Sequence, residues 1–181
     1  MRAVWMLVFF FMSAFPAWAD LRACQNMYIN APKSLGGYAL FKGVDHEKER
    51  SGAGYSVQYR KSKSDHISVF FYDRGQNRFS NRFLATELSV AASNIYRARA
   101  LLGGTVGDVV FDRPDEKISA IFGLAYLNIN PDRANQMHDF LTIGAVNRCI
   151  VKLIYSYNGS KKSADLKFNA IARDWVEYLS R

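Results

Sequence analysis

Histidine is scarce in this chain: His46, His66 and His138 are the only three in 181 residues, so any metal or acid–base site has few imidazoles to draw on. Cysteine is scarcer still, with Cys24 and Cys149 alone, which leaves room for one disulfide and not for a cysteine-rich metal centre. Carboxylates are outnumbered, 16 against 24 Lys and Arg, for a net charge of +8. That imbalance favours acidic partners over basic ones. Past residue 19 there is no apolar run of the roughly 20 residues that a membrane-crossing helix needs. Internal repeats and low-complexity stretches are also absent, and the length suits one domain with a full core.

What is present begins with an address. Arg2 opens a short positive start, Ala3 to Phe15 form an apolar run, and Ala17-Trp18-Ala19 is the small-x-small pattern that signal peptidases accept. The reading is a cleavable signal peptide over 1–19, cut between Ala19 and Asp20, and a single exported domain over 20–181, periplasmic in a bacterial envelope. Paired cysteines in an oxidising compartment then imply a Cys24–Cys149 disulfide that pins the mature N-terminus to the core. An alternative makes Cys24 a lipid anchor, since Leu21-Arg22-Ala23-Cys24 loosely resembles a lipobox. Asp20 and Arg22 place charge where such signals are normally uncharged, and Cys149 would lose its partner.

The mature chain starts irregularly through Pro32 and Gly36-Gly37 and then alternates in polarity. Tyr38 to Lys42 reads as a short strand and Asp45 to Ser51 as a charged connection. Over Gly54 to Lys61, Tyr55, Val57 and Tyr59 point one way and Ser56, Gln58 and Arg60 the other. His66 to Asp73 is apolar on both sides and belongs in the sheet interior with a helix over one face. Ser80 or Asn81 caps a long helix whose stripe is Leu84, Leu88, Ala91, Ile95, Ala98 and Leu102, with Arg97 and Arg99 in its last turns and Gly103-Gly104 ending it. Strands follow over Asp108 to Phe111 and, after a turn at Arg113-Pro114-Asp115, over Lys117 to Ile129. Met137 to Ile143 and Arg148 to Tyr157 read as a hairpin around Gly144 to Asn147, with one long bent strand as the alternative, and Cys149, Val151, Leu153 and Tyr155 face the core. Ser160 or Ser163 opens a last helix whose apolar side is Phe168, Ile171, Ala172, Trp175 and Leu179. The fold class is α+β, a single mostly antiparallel sheet with one long central helix and one C-terminal helix packed on it.

Motifs for chemistry are weak. His46-Glu47-Lys48-Glu49-Arg50 lacks the second histidine four residues on that a helical zinc site requires. Asn128, Asn130 and Asp132 have calcium-loop spacing, but Arg133 stands where the tight turn needs Gly. Ser56 follows glycines that precede a strand, not the strand-to-helix elbow of a hydrolase. Gly103 to Gly107 follow a helix, whereas a phosphate cradle needs them before one. The sequence therefore assigns no catalytic, metal or cofactor residues. One arrangement points to binding: Arg74, Arg78 and Arg82 recur every four residues among Tyr72, Phe79 and Phe83, so a helix starting early would set three guanidiniums on one face. That defines a candidate docking surface for an anionic envelope component or an acidic protein face, with nucleic acid excluded by the export signal.

A strand pair, a strand ending Val-Phe-Phe-Tyr-Asp-Arg-Gly, a long helix, further strands and a terminal helix together resemble the PsbP-like fold family, and Arg148 to Tyr157 looks like its late strand before the terminal helix. The family includes photosystem II extrinsic proteins, a nuclear-transport factor that binds the small GTPase Ran, and bacterial envelope relatives such as DcrB. The resemblance spans most of residues 38–181 and implies a binding or assembly role without catalysis. The competing expectation is an envelope hydrolase with a dispersed site, which requires carboxylates and a histidine to converge in a pocket.

Overall fold

The computed structural model of the chain describes residues 22–76, 78–112, 121–130 and 136–181. The leader with its cleavage point at Ala19 and Asp20, the turn at 113–115, the start of the strand read from Lys117, and Asp132 lie outside the described residues. The elements are α1 (Arg22–Ile29), β1 (Ser34–Leu35), β2 (Tyr38–Asp45), a short 3-10 turn (His46–Lys48), β3 (Tyr55–Ser62), β4 (Asp65–Tyr72), α2 (Asn81–Leu101), β5 (Val106–Asp112), β6 (Gly123–Ile129), β7 (Met137–Val146), β8 (Cys149–Asn158) and α3 (Lys161–Leu179). The strands form an 8-stranded sheet in the order β1-β2-β3-β4-β8-β7-β6-β5, with every pairing antiparallel. Two four-strand meanders are thus joined by α2, and the second returns so that β8 pairs with β4 at the centre. The α+β class and its two main helices are as the sequence indicates.

Strict alternation explains which face each strand buries. Tyr55, Val57 and Tyr59 of β3, Ile67, Val69 and Phe71 of β4, and Val151, Leu153 and Tyr155 of β8 fill the larger core, against Phe168, Ile171 and Trp175 of α3. Residues one place out of phase, Ile150 on β8 with Leu141 and Ile143 on β7 and Ala125 on β6, meet Leu88 and Ala92 of α2 on the opposite face. Because α2 packs on β5, β6 and β7, Ser56, Gln58, Ser68 and Phe70 on that face of β3 and β4 stay half-exposed. Among the described residues, α1 and α3 thus pack on β1, β3, β4, β7 and β8 on one face, and α2 on β5, β6 and β7 on the other.

Two readings need correction, and one choice between alternatives is settled. The chain before Pro32 is helical, not irregular: α1 holds Cys24 in the core, bridged to Cys149, and stacks Tyr28 on Tyr55 with ring centroids 5.1 Å apart. The bridge also occupies the sulfur that a lipid on Cys24 would need. The stripe of α2 does not run to its end, since Ala98 is exposed and Leu102 is 80% exposed, and the helix instead turns Arg99 toward the sheet. Residues 137–157 resolve as a hairpin, turned by Asn147 and Arg148 at φ 48 and 66, the paired left-handed conformation of a two-residue turn whose twist matches its strands.

Candidate anion-binding pocket

A loop built from its own backbone stands at the open end of β3 and β4. Asp45 accepts a hydrogen bond from the Glu47 amide at 3.1 Å, and the Glu47 carboxylate in turn accepts from the amides of Gly52, at 2.9 Å, and Gly54. Gly54 sits at φ +80, where a Cβ would meet the Phe71 carbonyl oxygen at 2.1 Å, so only glycine lets the loop lie against β4. Gly54→Ala therefore lifts the loop and costs about 1–3 kcal/mol of stability, measurable by urea unfolding.

That placement closes a pocket of about 130 Å³ lined by Arg50, Gly52 and Ala53 of the loop, Phe70 and Tyr72 of β4, Arg74 and Lys152. Lys152 is the register partner of Phe70, which puts the two side by side on the same face. Its ammonium lies 4.5 Å from the centroid of the Phe70 ring and 5.5 Å from that of Tyr72. Arg74 holds φ 53 in the turn after β4, with its guanidinium 5.1 Å from the Tyr72 ring centroid and 3.3 Å from Glu87 of α2. The Tyr72 hydroxyl donates to the same Glu87 oxygen at 3.0 Å.

The electrostatics are unbalanced. Glu87 is shared between Arg74 and Tyr72, and among the described residues no carboxylate pairs Lys152 or Arg50. Burial pulls the Lys152 ammonium below the ordinary lysine range; Glu87 opposes this and Arg74 reinforces it. Burial, aided by the charge of Glu87, pushes the Tyr72 hydroxyl well above the usual phenol range, so it remains a donor. Cations held over aromatic faces around a small opening are what one carboxylate or phosphate group requires.

Of the arginines singled out by spacing, only Arg74 lines this pocket. The four-residue spacing does not become a helical face, because Ser80 caps α2 in extended geometry (φ -79, ψ 157), its side chain accepting from the Phe83 amide, and the helix starts at Asn81. Arg78 lies before the cap and Arg82 on the first turn, both exposed. Spacing missed Arg50 and Lys152. Lys152 had a signal, a lone charge inside Cys-Ile-Val-Lys-Leu-Ile-Tyr, whereas Arg50 was hidden in a run that reads as solvated.

The histidines do not assemble a hydrolytic site with this pocket. His138 is fully buried, bonded to the Tyr126 hydroxyl at 2.8 Å and the Gly159 carbonyl at 2.9 Å, and His46 bonds Ser56 at 2.9 Å. His66 is the register partner of Arg60 and Ser156, and Ser156 is the partner of Asp139. That row has the residue types of a serine hydrolase but not its wiring. The Ser156 hydroxyl donates to Asp139 at 2.6 Å, Arg99 occupies both carboxylate oxygens, and His66 Nδ1 is buried with no partner among the described residues. A nucleophile needs its hydroxyl on the imidazole, with the carboxylate behind. Among the described residues no group of three or more His, Cys, Asp or Glu is placed to hold a metal ion. No family model and no curated protein matches the chain.

Proposed function

We propose that the chain is an exported, disulfide-stapled envelope domain of PsbP-like type that acts by binding, as an accessory or assembly factor, and takes an acidic group of a protein partner into the Arg50–Arg74–Lys152 pocket. The observation that carries the reading is Lys152, a half-buried ammonium that no carboxylate among the described residues pairs. Burying a charge is costly unless a counter-charge arrives, and a partner's carboxylate supplies it. The half-exposed sheet face beside it, with Gln58, Ser68 and Phe70, gives that partner a surface to lie on. Export and a periplasmic location rest on the leader and agree with the disulfide. Membership of the PsbP-like family rests on element order, a meander, a long helix, further strands and a terminal helix.

The test is cross-linking in intact cells, recovery of the tagged chain and mass analysis of what accompanies it. The parent is expected to bring down a stoichiometric envelope protein. Charge-assisted hydrogen bonds of this kind contribute about 1.5–3 kcal/mol each, so Lys152→Met and Arg74→Gln are each expected to weaken the complex by about tenfold or more. Recovery of the same partner at parental yield by the double variant sinks the reading.

A further inference from the structure

On the opposite, helix-covered face a second cavity has the reverse chemistry. It measures about 290 Å³ and lies between α3 and the β6–β7 edge, walled by Ile121, Leu124, Phe168, Ala172 and Val176. α3 crosses β7 and β8, and its flank at positions 168, 172 and 176 faces Leu124 of β6 and Thr142 of β7 with, among the described residues, no further helix beyond it.

The lining is almost wholly apolar, and Thr142 and Arg173 are the two lining residues whose side chains carry polar groups. Thr142 is 4% exposed and lines the cavity, with its hydroxyl buried and, among the described residues, unpaired. Arg173 lines the same cavity with its side chain 81% exposed, and its nearest carboxylate, Asp174, stands 3.7 Å away with its other oxygen taken by the Gly36 amide at 2.9 Å.

We infer that this cavity binds a single-chain aliphatic carboxylate, a medium-chain fatty acid, with its hydrocarbon against Leu124, Phe168 and Val176 and its charged end at Arg173. Apolar walls with a few placed polar groups are the usual composition of a small-molecule site. Size supports a short ligand, since an apolar cavity of about 150 Å³ already accommodates benzene, and roughly twice that volume suits a chain of about ten carbons. The cavity is separate from the basic pocket, so either can fail without the other.

The probe is decanoate, followed by calorimetry on the mature protein, with methyl decanoate as the uncharged control. Saturable binding of decanoate at one site per chain is expected, together with a raised Tm. Ala172→Trp, which fills the cavity, is expected to abolish it. Arg173→Gln changes only an exposed side chain; it is expected to weaken decanoate about tenfold and leave methyl decanoate unchanged, a split that a merely structural residue would not produce. Absence of saturable binding to the parent overturns the inference, as does equal loss of both probes in Arg173→Gln. A concentration-dependent dimer whose formation excludes decanoate from the parent would make the cavity a contact between copies and equally overturn it.

Discussion

Replacing both cysteines, Cys24→Ala with Cys149→Ala, is expected to lower the stability of the fold by about 4–5 kcal/mol and its Tm by roughly 10–20 °C. The bridge closes a loop of 125 positions between two fully buried residues, and a cross-link over that span removes much of the freedom of the unfolded chain. Locally it fastens α1, whose 8 residues fall well short of the dozen or so that an isolated helix needs. Without the bridge α1 keeps the Tyr28–Tyr55 stack and the bond from the Tyr178 hydroxyl to the Met27 carbonyl. Those contacts leave it the first element to open. Hydrogen exchange is therefore expected to rise most over 22–29, ahead of β3, β4 and β8, as unfolding by urea moves to lower concentration. A double variant as stable as the parent, with 22–29 equally protected, would show that packing alone holds the N-terminal helix.

The parts of the fold legible in the sequence are those where one periodic signal decides the outcome. Tyr55, Val57 and Tyr59 alternate against polar neighbours, and β3 buries those three; Ser80 and Ser160 precede apolar helical stripes, and each caps its helix. The misses are places where a long-range partner overrides local pattern. The segment of α1 is too short to announce itself and is held by a cysteine and a tyrosine far along the chain. The end of α2 has apolar residues at helical spacing, yet Leu102 is exposed because Arg99 is drawn to a carboxylate on β7. The site follows the same rule. Arg74 was visible because arginines stand out in sequence, but its company was not, since Arg50 and Lys152 reach it only through the Gly54 approach to β4 and the pairing of β4 with β8. Four-residue spacing is informative only inside a helix, and Arg74 and Arg78 precede the helix.

Arg99→Met is expected to destabilise the protein by about 3–5 kcal/mol, because it strips the counter-charge from a carboxylate with no exposure of its own. Arg99 Nε and Nη2 donate to the two oxygens of Asp139 at 2.8 and 2.9 Å, and the Ser156 hydroxyl donates to one of them at 2.6 Å. This clamp is what fixes the last turns of α2 to β7 where the apolar stripe has given out. Loss of the guanidinium leaves Asp139 with a single neutral donor beneath the helix, and the desolvation cost of the charge is no longer offset. Asp139→Leu alone is expected to be the milder change, since Arg99 is 23% exposed and can turn to water. Combining the two replaces the buried pair with apolar groups of similar reach and is expected to recover most of the loss. The double-mutant cycle, read by urea unfolding, therefore predicts strong coupling, with the double variant more stable than Arg99→Met. Additive losses would mean that Arg99 and Asp139 act separately, and that Ile95, Leu88 and Ala92 hold α2 on the sheet without the clamp.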